Sequence, residues 1–193
     1  MKKQFTVGGK SITVTDEVTQ NFEGTLVITD PCYYIPDEIW QGLCDEVWFE
    51  NGKSTPFTNA GTIYIGSVKV LYSSTAHGDG SYRVEGCTGI AQNEFGVDAG
   101  MMAVITMADF EKISNEDTKN SLYAVVEDFD GTITADGEGN FDGDLEVITD
   151  GSDTTWDGDG SDDDWDDEDD VWRARDRKSE WAEEDDYYDD DDY

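Results

Sequence analysis

Four side chains of this sequence could together bind a metal ion or form a cysteine–histidine pair. They are Asp30, Cys32, His77 and Asp98, and each falls in a turn or loop between apolar runs. The chain holds a single histidine, and the four residues show no regular ligand spacing. We therefore favour the simpler alternative that Asp30 and Asp98 accept hydrogen bonds from loop N–H groups, with Cys32 packed below them.

A second candidate is the acidic motif Asp128-Phe129-Asp130-Gly131-Thr132, which follows an apolar run. The motif resembles the nucleophile loop of the haloacid dehalogenase-like phosphotransferases. That resemblance implies that Asp128 would attack phosphorus and that Asp130 would act as the general acid and base. The later parts of the family pattern are missing, and Lys178 is the only lysine after the motif.

A phosphate dianion would be repelled by so acidic a chain when no lysine is placed to hold it. We therefore expect a strand that runs into a turn at Asp130-Gly131. A small phosphohydrolase that uses Asp128 and Asp130 stays an alternative function, and no catalytic residue is assigned in the favoured interpretation.

The strand that should position Asp30 is the apolar, β-branched run Thr25–Thr29. Pro31 has no N–H group and holds the residue before it in extended backbone, so the strand should end at Asp30. The segment Phe95–Ile105 places Asp98 ahead of another apolar run. It is the predicted spatial neighbour of the first strand.

The remaining patterns predict an α+β fold, mostly antiparallel β-sheet with one short helix and an acidic low-complexity C-terminal tail. Gly8-Gly9 predicts a hairpin, and Gly66-Ser67 predicts either a hairpin or a bulge in one long strand. A helical turn is predicted over 109–113 and a β-meander over 121–150. The helix should begin after Pro36, because apolar residues then recur at helical spacing at Ile39, Trp40, Leu43, Cys44 and Val47.

Three short motifs carry a further resemblance: TDPCY at 29–33, GDGSY at 78–82 and GVDAG at 96–100. Together they resemble a group of small uncharacterised proteins, many of them phage-encoded, that is similar to the DUF4241 family. The resemblance implies a small β-rich domain. It implies no established activity, so no functional residue is carried over from it.

Charge divides the chain into two predicted parts. Residues 1–150 carry 26 acidic and 8 basic side chains, whereas residues 151–193 carry 21 acidic and 4 basic ones, out of a total net charge of −35. We therefore predict a β-rich globular domain over 1–150 and an acidic tail over 151–193. Binding to bare nucleic acid or to an anionic membrane is disfavoured, because both require a basic surface, and a basic partner is favoured.

The tail has few aliphatic residues and one dominant charge, so it should be disordered unless it is bound. Its carboxylates alternate with aromatic rings, which reproduces the charge and stacking features of single-stranded nucleic acid. Its acids miss the calcium-loop pattern because Asp162 stands where glycine is needed, so no metal site or cofactor is predicted. The residues predicted to contact a partner are Asp162, Asp163, Asp164, Trp165, Asp166, Asp167, Glu168, Asp169, Asp170, Trp172, Trp181 and Tyr193.

These patterns predict a non-catalytic interaction protein that occupies a basic surface of a partner, in the manner of a DNA mimic. The partner would be a nucleic-acid-binding protein of a host. From its resemblance to phage-encoded proteins we expect the chain to inhibit a host or defence protein. A tail that only improves solubility is one alternative. Another is a single-stranded-DNA-binding protein with an acidic regulatory tail, although eight basic residues in 1–150 leave little to line a phosphate groove.

The sequence also predicts a cytoplasmic protein. Its three cysteines, Cys32, Cys44 and Cys87, are odd in number and show no CxxC spacing, so we expect free thiols. Met1-Lys2-Lys3 leads into a polar strand and not into an apolar segment, so no signal peptide is expected. No apolar stretch is long enough to predict a membrane span.

Overall fold

A computed structural model describes residues 1–50, 53–114 and 122–149. Two α-helices occur in these residues: α1 (Asp37–Leu43), which continues as a π-helical turn over Cys44–Trp48, and α2 (Met107–Ile113). A 3-10 turn spans Pro31–Tyr33. The described strands are β1 (Lys2–Val7), β2 (Lys10–Thr15), β3 (Thr19–Thr29), β4 (Phe49–Glu50), β5 (Lys53–Ser54), β6 (Ala60–Ile65), β7 (Val68–Ser74), β8 (Gly80–Glu85), β9 (Ile90–Gln92), β10 (Glu94–Val97), β11 (Met101–Thr106), β12 (Ala124–Ala135), β13 (Asn140–Gly143) and β14 (Glu146–Ile148).

Twelve of the described strands form one antiparallel sheet, and β4 and β5 form a separate hairpin. The strand order of the sheet is β1-β2-β6-β7-β11-β3-β12-β13-β14-β8-β10, with β9 paired to β12. The last strand curls back towards the middle of the sheet, where Gly96 N donates to Leu122 O at 3.1 Å. The predicted fold class, α+β with mostly antiparallel sheet, is confirmed.

The last part of strand β3, residues 26–29, is the centre of the fold because both of its faces are buried. Leu26 and Ile28 point into one apolar core, and Val27 between them points into a second core that also holds apolar residues of α1 and α2. All three side chains are fully buried, and each contributes about 1.5–3 kcal/mol to folding by leaving water. Burial of both faces explains why residues 25–29 form a continuous apolar run and not an alternation of apolar and polar residues.

Most of the predicted local structures are present. Gly8 and Gly9 take φ values of 56° and 75° in a two-residue turn, and Gly66-Ser67 joins β6 to β7 as a hairpin rather than a bulge. Helix α1 begins after Pro36, with Ile39 and Leu43 buried. The helical turn predicted over 109–113 is longer than expected. It forms α2, whose first turn is capped by the Thr106 hydroxyl accepting from Asp109 N at 3.2 Å.

The prediction of a turn at Asp130-Gly131 is wrong. Strand β12 runs straight through this position and stays paired with β3, so that Asp130 lies opposite Glu23. The pairing shifts by a bulge between Val126 and Phe129, where Asp128 has a φ of 52°. Strand β3 is long enough to pair along the whole of β12, and the extra residues are absorbed in the bulge instead of a turn.

The left-handed backbone of Asp128 makes a testable prediction about stability. Valine at this position should lower the free energy of unfolding by about 2 kcal/mol, because a β-branched side chain fits that conformation poorly. Asparagine or glycine should change it by less than about 0.5 kcal/mol. Urea denaturation measures each value.

Asp130→Val is the matched control for this prediction, because Asp130 is exposed on the same strand and has no positive φ. It should be neutral or slightly stabilising, since it removes a carboxylate opposite Glu23. If Asp128→Val and Asp130→Val lowered the free energy of unfolding equally, the backbone strain assigned to Asp128 would be contradicted.

Candidate functional site

The Asp30 carboxylate lies where β3 ends, and the residue is fully buried. One oxygen, Oδ1, accepts from Cys32 N at 2.8 Å. The other, Oδ2, accepts from Asp98 N at 2.9 Å and from Ala99 N at 2.6 Å. A single carboxylate therefore joins the Pro31–Tyr33 turn to the β10–β11 turn, and the predicted bonding of Asp30 to loop N–H groups is confirmed.

The electrostatics of this Asp30 cluster do not favour a nucleophile. Burial raises the pKa of Asp30, and the N–H groups of Cys32, Ala99 and Asp98 oppose that rise. Burial, together with the nearby Asp30 carboxylate, raises the pKa of the Cys32 thiol well above its ordinary value. Since only the thiolate is a good nucleophile, Cys32 stays protonated and unreactive at neutral pH.

The raised pKa of Asp30 predicts a pH effect on stability. A carboxyl group whose native pKa exceeds its unfolded value binds its proton more tightly in the folded state. The stability that this carboxyl group contributes is therefore fully present below its unfolded pKa, and it is lost as pH rises through its native pKa. Urea denaturation measures the unfolding free energies of wild type and of Asp30→Asn. The advantage of wild type over Asp30→Asn should decrease as pH rises above 3.8 towards neutrality. A difference that grows with pH would contradict this direction.

His77 lies on an exposed loop that touches the same end of the sheet. In that loop Thr75 N donates to Gly100 O at 2.9 Å, so the loop packs against the turn that follows Asp98. The Asp98 residue itself is exposed, and the cysteine is half-buried. The structure thus brings the loops of all four predicted residues to one end of the sheet. Yet no group of three metal-binding side chains suitable for an ion occurs among the described residues.

The two aspartates of the acidic motif on β12, Asp128 and Asp130, are exposed, and their surroundings are negative. Asp130 faces Glu23 across the strand pair, and Glu146 of β14 faces Glu85 of β8. Like charges that are directly opposite repel each other. The side-chain salt bridges among described residues, Arg83–Glu94 and Lys112–Asp109, involve none of these four carboxylates.

One cation near this surface was missed by sequence reasoning. The Lys69 amine donates to Asn21 O at 2.6 Å and lies 4.4 Å from the centre of the Phe22 ring. Asn21 and Phe22 of β3 pair with Thr132 and Gly131 of β12, so the Lys69 side chain, which belongs to β7, contacts the strand next to the acidic motif. Burial lowers the pKa of Lys69. No local signal around position 69 indicates this placement, because it depends on the strand order that puts β7 and β3 on either side of β11.

The predicted partner-binding residues, from Asp162 to Tyr193, and the predicted domain boundary at residue 150 lie outside the described residues. Both therefore stay predictions. The last described residue, Thr149, is fully buried, and its hydroxyl accepts from Ala76 N at 2.8 Å. The described part of the chain is thus held in the fold up to its end.

Comparison with protein-family models, with curated proteins and with solved structures finds no match for this chain. The resemblance to the DUF4241 family accordingly stays a prediction that depends on three short motifs. Neither described helix has the length and apolar character needed to cross a membrane.

Proposed function

We propose that this chain is a non-catalytic interaction protein whose acidic residues occupy a basic surface of another protein. The partner is a nucleic-acid-binding protein, and the chain competes with nucleic acid for its basic groove. The proposal rests on one observation, the net charge of −35 spread over 47 acidic and 12 basic residues. Nearly half of that charge lies in residues 151–193, where aromatic rings alternate with carboxylates as bases alternate with phosphates.

The described domain supports the proposal through its uncompensated charge. Carboxylates face one another across strand pairs at Glu23 and Asp130 and at Glu85 and Glu146. Such pairs reduce the stability of the isolated sheet, and a basic partner would relieve the repulsion. We infer that the domain surface adds long-range attraction, whereas the tail supplies the contacts.

The experiment that tests the proposal is affinity capture from a bacterial host lysate with two variants of the full-length chain. In one variant the acids of 162–170 become asparagine or glutamine, and in the other Trp165, Trp172 and Trp181 become alanine. We expect wild type to retain a basic, nucleic-acid-binding protein and the neutralised variant to lose it at physiological salt. Equal capture by wild type and the neutralised variant would contradict the role of the tail charge.

A phosphatase assay separates this proposal from the phosphohydrolase alternative. Asp128→Asn should leave capture of the partner unchanged, because Asp128 lies in a strand bulge of β12 and outside residues 162–193, to which the contacts with the partner are assigned. Measurable turnover of an aryl phosphate by wild type, absent in Asp128→Asn, would overturn the assignment as non-catalytic.

A further inference from the structure

The outer edge of β1 is the open edge of the described sheet. Strand β1 lies at one end of the strand order and pairs only with β2 among described strands. The opposite end is not open in the same way, because Gly96 of β10 already donates to Leu122 O. An unpaired edge presents a row of N–H and C=O groups that another strand can bind.

The geometry of the Gly8-Gly9 turn shows which groups point outward. In a two-residue hairpin the flanking residues, here Val7 and Lys10, exchange both hydrogen bonds with each other. Alternate residues along β1 therefore bond inward to β2, and the N–H and C=O groups of Lys2, Gln4 and Thr6 point away from the sheet.

Packing under β1 fixes this edge in place. Phe5 and Val7 are half-buried against the second core, the one that holds Val27, and both side chains touch α1 at Gly42. A methyl group on Gly42 would come within 2.7 Å of the Phe5 ring, so the helix approaches this strand closely. The edge is thus a preformed extended template, which lowers the entropic cost of adding a strand.

The charge at this edge is opposite to that of the rest of the domain. Three of the seven basic side chains of the described residues, Lys2, Lys3 and Lys10, belong to the β1–β2 hairpin. None of the three makes a salt bridge with a described carboxylate. Lysines on an edge discourage pairing between copies of the same chain. The same lysines would attract a strand that carries carboxylates.

We propose that the outer edge of β1 binds an extended acidic segment of a protein partner by strand addition. The bound segment exchanges main-chain hydrogen bonds with Lys2, Gln4 and Thr6. Its apolar side chains lie beside Phe5 and Val7. Its acidic side chains lie on the opposite face, which Lys2 shares, and beside Lys3 at the start of the strand. This site is independent of the acidic surface described above, because it binds the opposite charge.

The test uses the full-length chain and an acetylated peptide of alternating glutamate and valine as the probe. Hydrogen exchange followed by NMR should show slower exchange at the amides of Lys2, Gln4 and Thr6 when the peptide is added. The amides of Lys3, Phe5 and Val7, which already bond to β2, should not change. Uniform slowing along β1, or no slowing at saturating peptide, would overturn the proposal.

Two pairs of variants sharpen the test. Gln4→Pro removes an outward N–H without removing a main-chain β1–β2 bond and should weaken peptide binding by about tenfold or more. Gln4→Thr keeps the N–H and should bind like wild type, and both variants lose the Gln4 Nε2–Thr13 Oγ1 bond equally. Lys2→Glu with Lys3→Glu should also weaken binding, whereas Lys53→Glu on β5 should not. Equal affinity of the proline and threonine variants would refute strand addition. Concentration-dependent protection of the same amides without peptide would instead assign the edge to a second copy of this chain.

Discussion

Replacing Asp30 by alanine is expected to lower the free energy of unfolding by about 3 kcal/mol or more. The change leaves the N–H groups of Cys32, Asp98 and Ala99 without their acceptor. An unsatisfied buried donor costs about 1–3 kcal/mol. The loss also releases the β10–β11 turn from the end of β3.

Urea denaturation of the two proteins measures this loss, and Asp79→Ala is the matched control. Asp79 is an exposed carboxylate on the neighbouring loop, so its removal should change the unfolding free energy by less than about 0.5 kcal/mol. The loss of unfolding free energy for Asp30→Asn should lie between those for Asp30→Ala and Asp79→Ala. The amide oxygen can still accept from Cys32 N, but the NH₂ group would face the N–H donors of Asp98 and Ala99. A loss below about 1 kcal/mol for Asp30→Ala would show that the carboxylate does not hold the two turns together.

The largest expected effect on binding concerns the acids of 162–170. Neutralising them should slow association with the basic partner at low salt by about tenfold or more, because charged surfaces steer diffusional encounter. The difference between wild type and variant should shrink as salt rises, since the Debye length falls from about 30 Å at 0.01 M to about 10 Å at 0.1 M. Surface-binding kinetics over a salt series measure both rate constants.

The tryptophans provide the complementary control for this experiment. Alanine at Trp165, Trp172 and Trp181 should raise the dissociation rate and leave the association rate nearly unchanged, because ring contacts form only after encounter. Each ring that stacks on an arginine contributes about 0.5–2 kcal/mol. If both sets of substitutions altered the same rate constant equally, charge and stacking would not have the separate roles assigned here.

Local chemistry made much of the fold predictable. Pro31 ends β3 wherever the strand lies in space, and Gly8-Gly9 can form a tight turn without help from the rest of the chain. The error at Asp130-Gly131 has the opposite origin. An Asp-Gly pair is a turn signal in isolation, but β3 offers a pairing partner along all of β12, and that non-local pairing overrides the local preference.

The Asp30 cluster was predictable only in part, for a similar reason. The Cys32 N–H is two residues from Asp30, so the bond between them follows from a proline turn. Asp98 N and Ala99 N are 68 and 69 residues away, and only the antiparallel pairing of β11 with β3 brings them to the same carboxylate. The open edge of β1 is likewise a property of strand order, which no local pattern encodes.

The central claim is that the chain and nucleic acid compete for one basic surface. A fluorescence-anisotropy competition tests it most directly, with a labelled single-stranded oligonucleotide bound to the partner that affinity capture identifies. We expect the full-length chain to displace the oligonucleotide completely, and the variant neutralised over 162–170 to displace it only at much higher concentration. A stable ternary complex of partner, oligonucleotide and chain would contradict the claim.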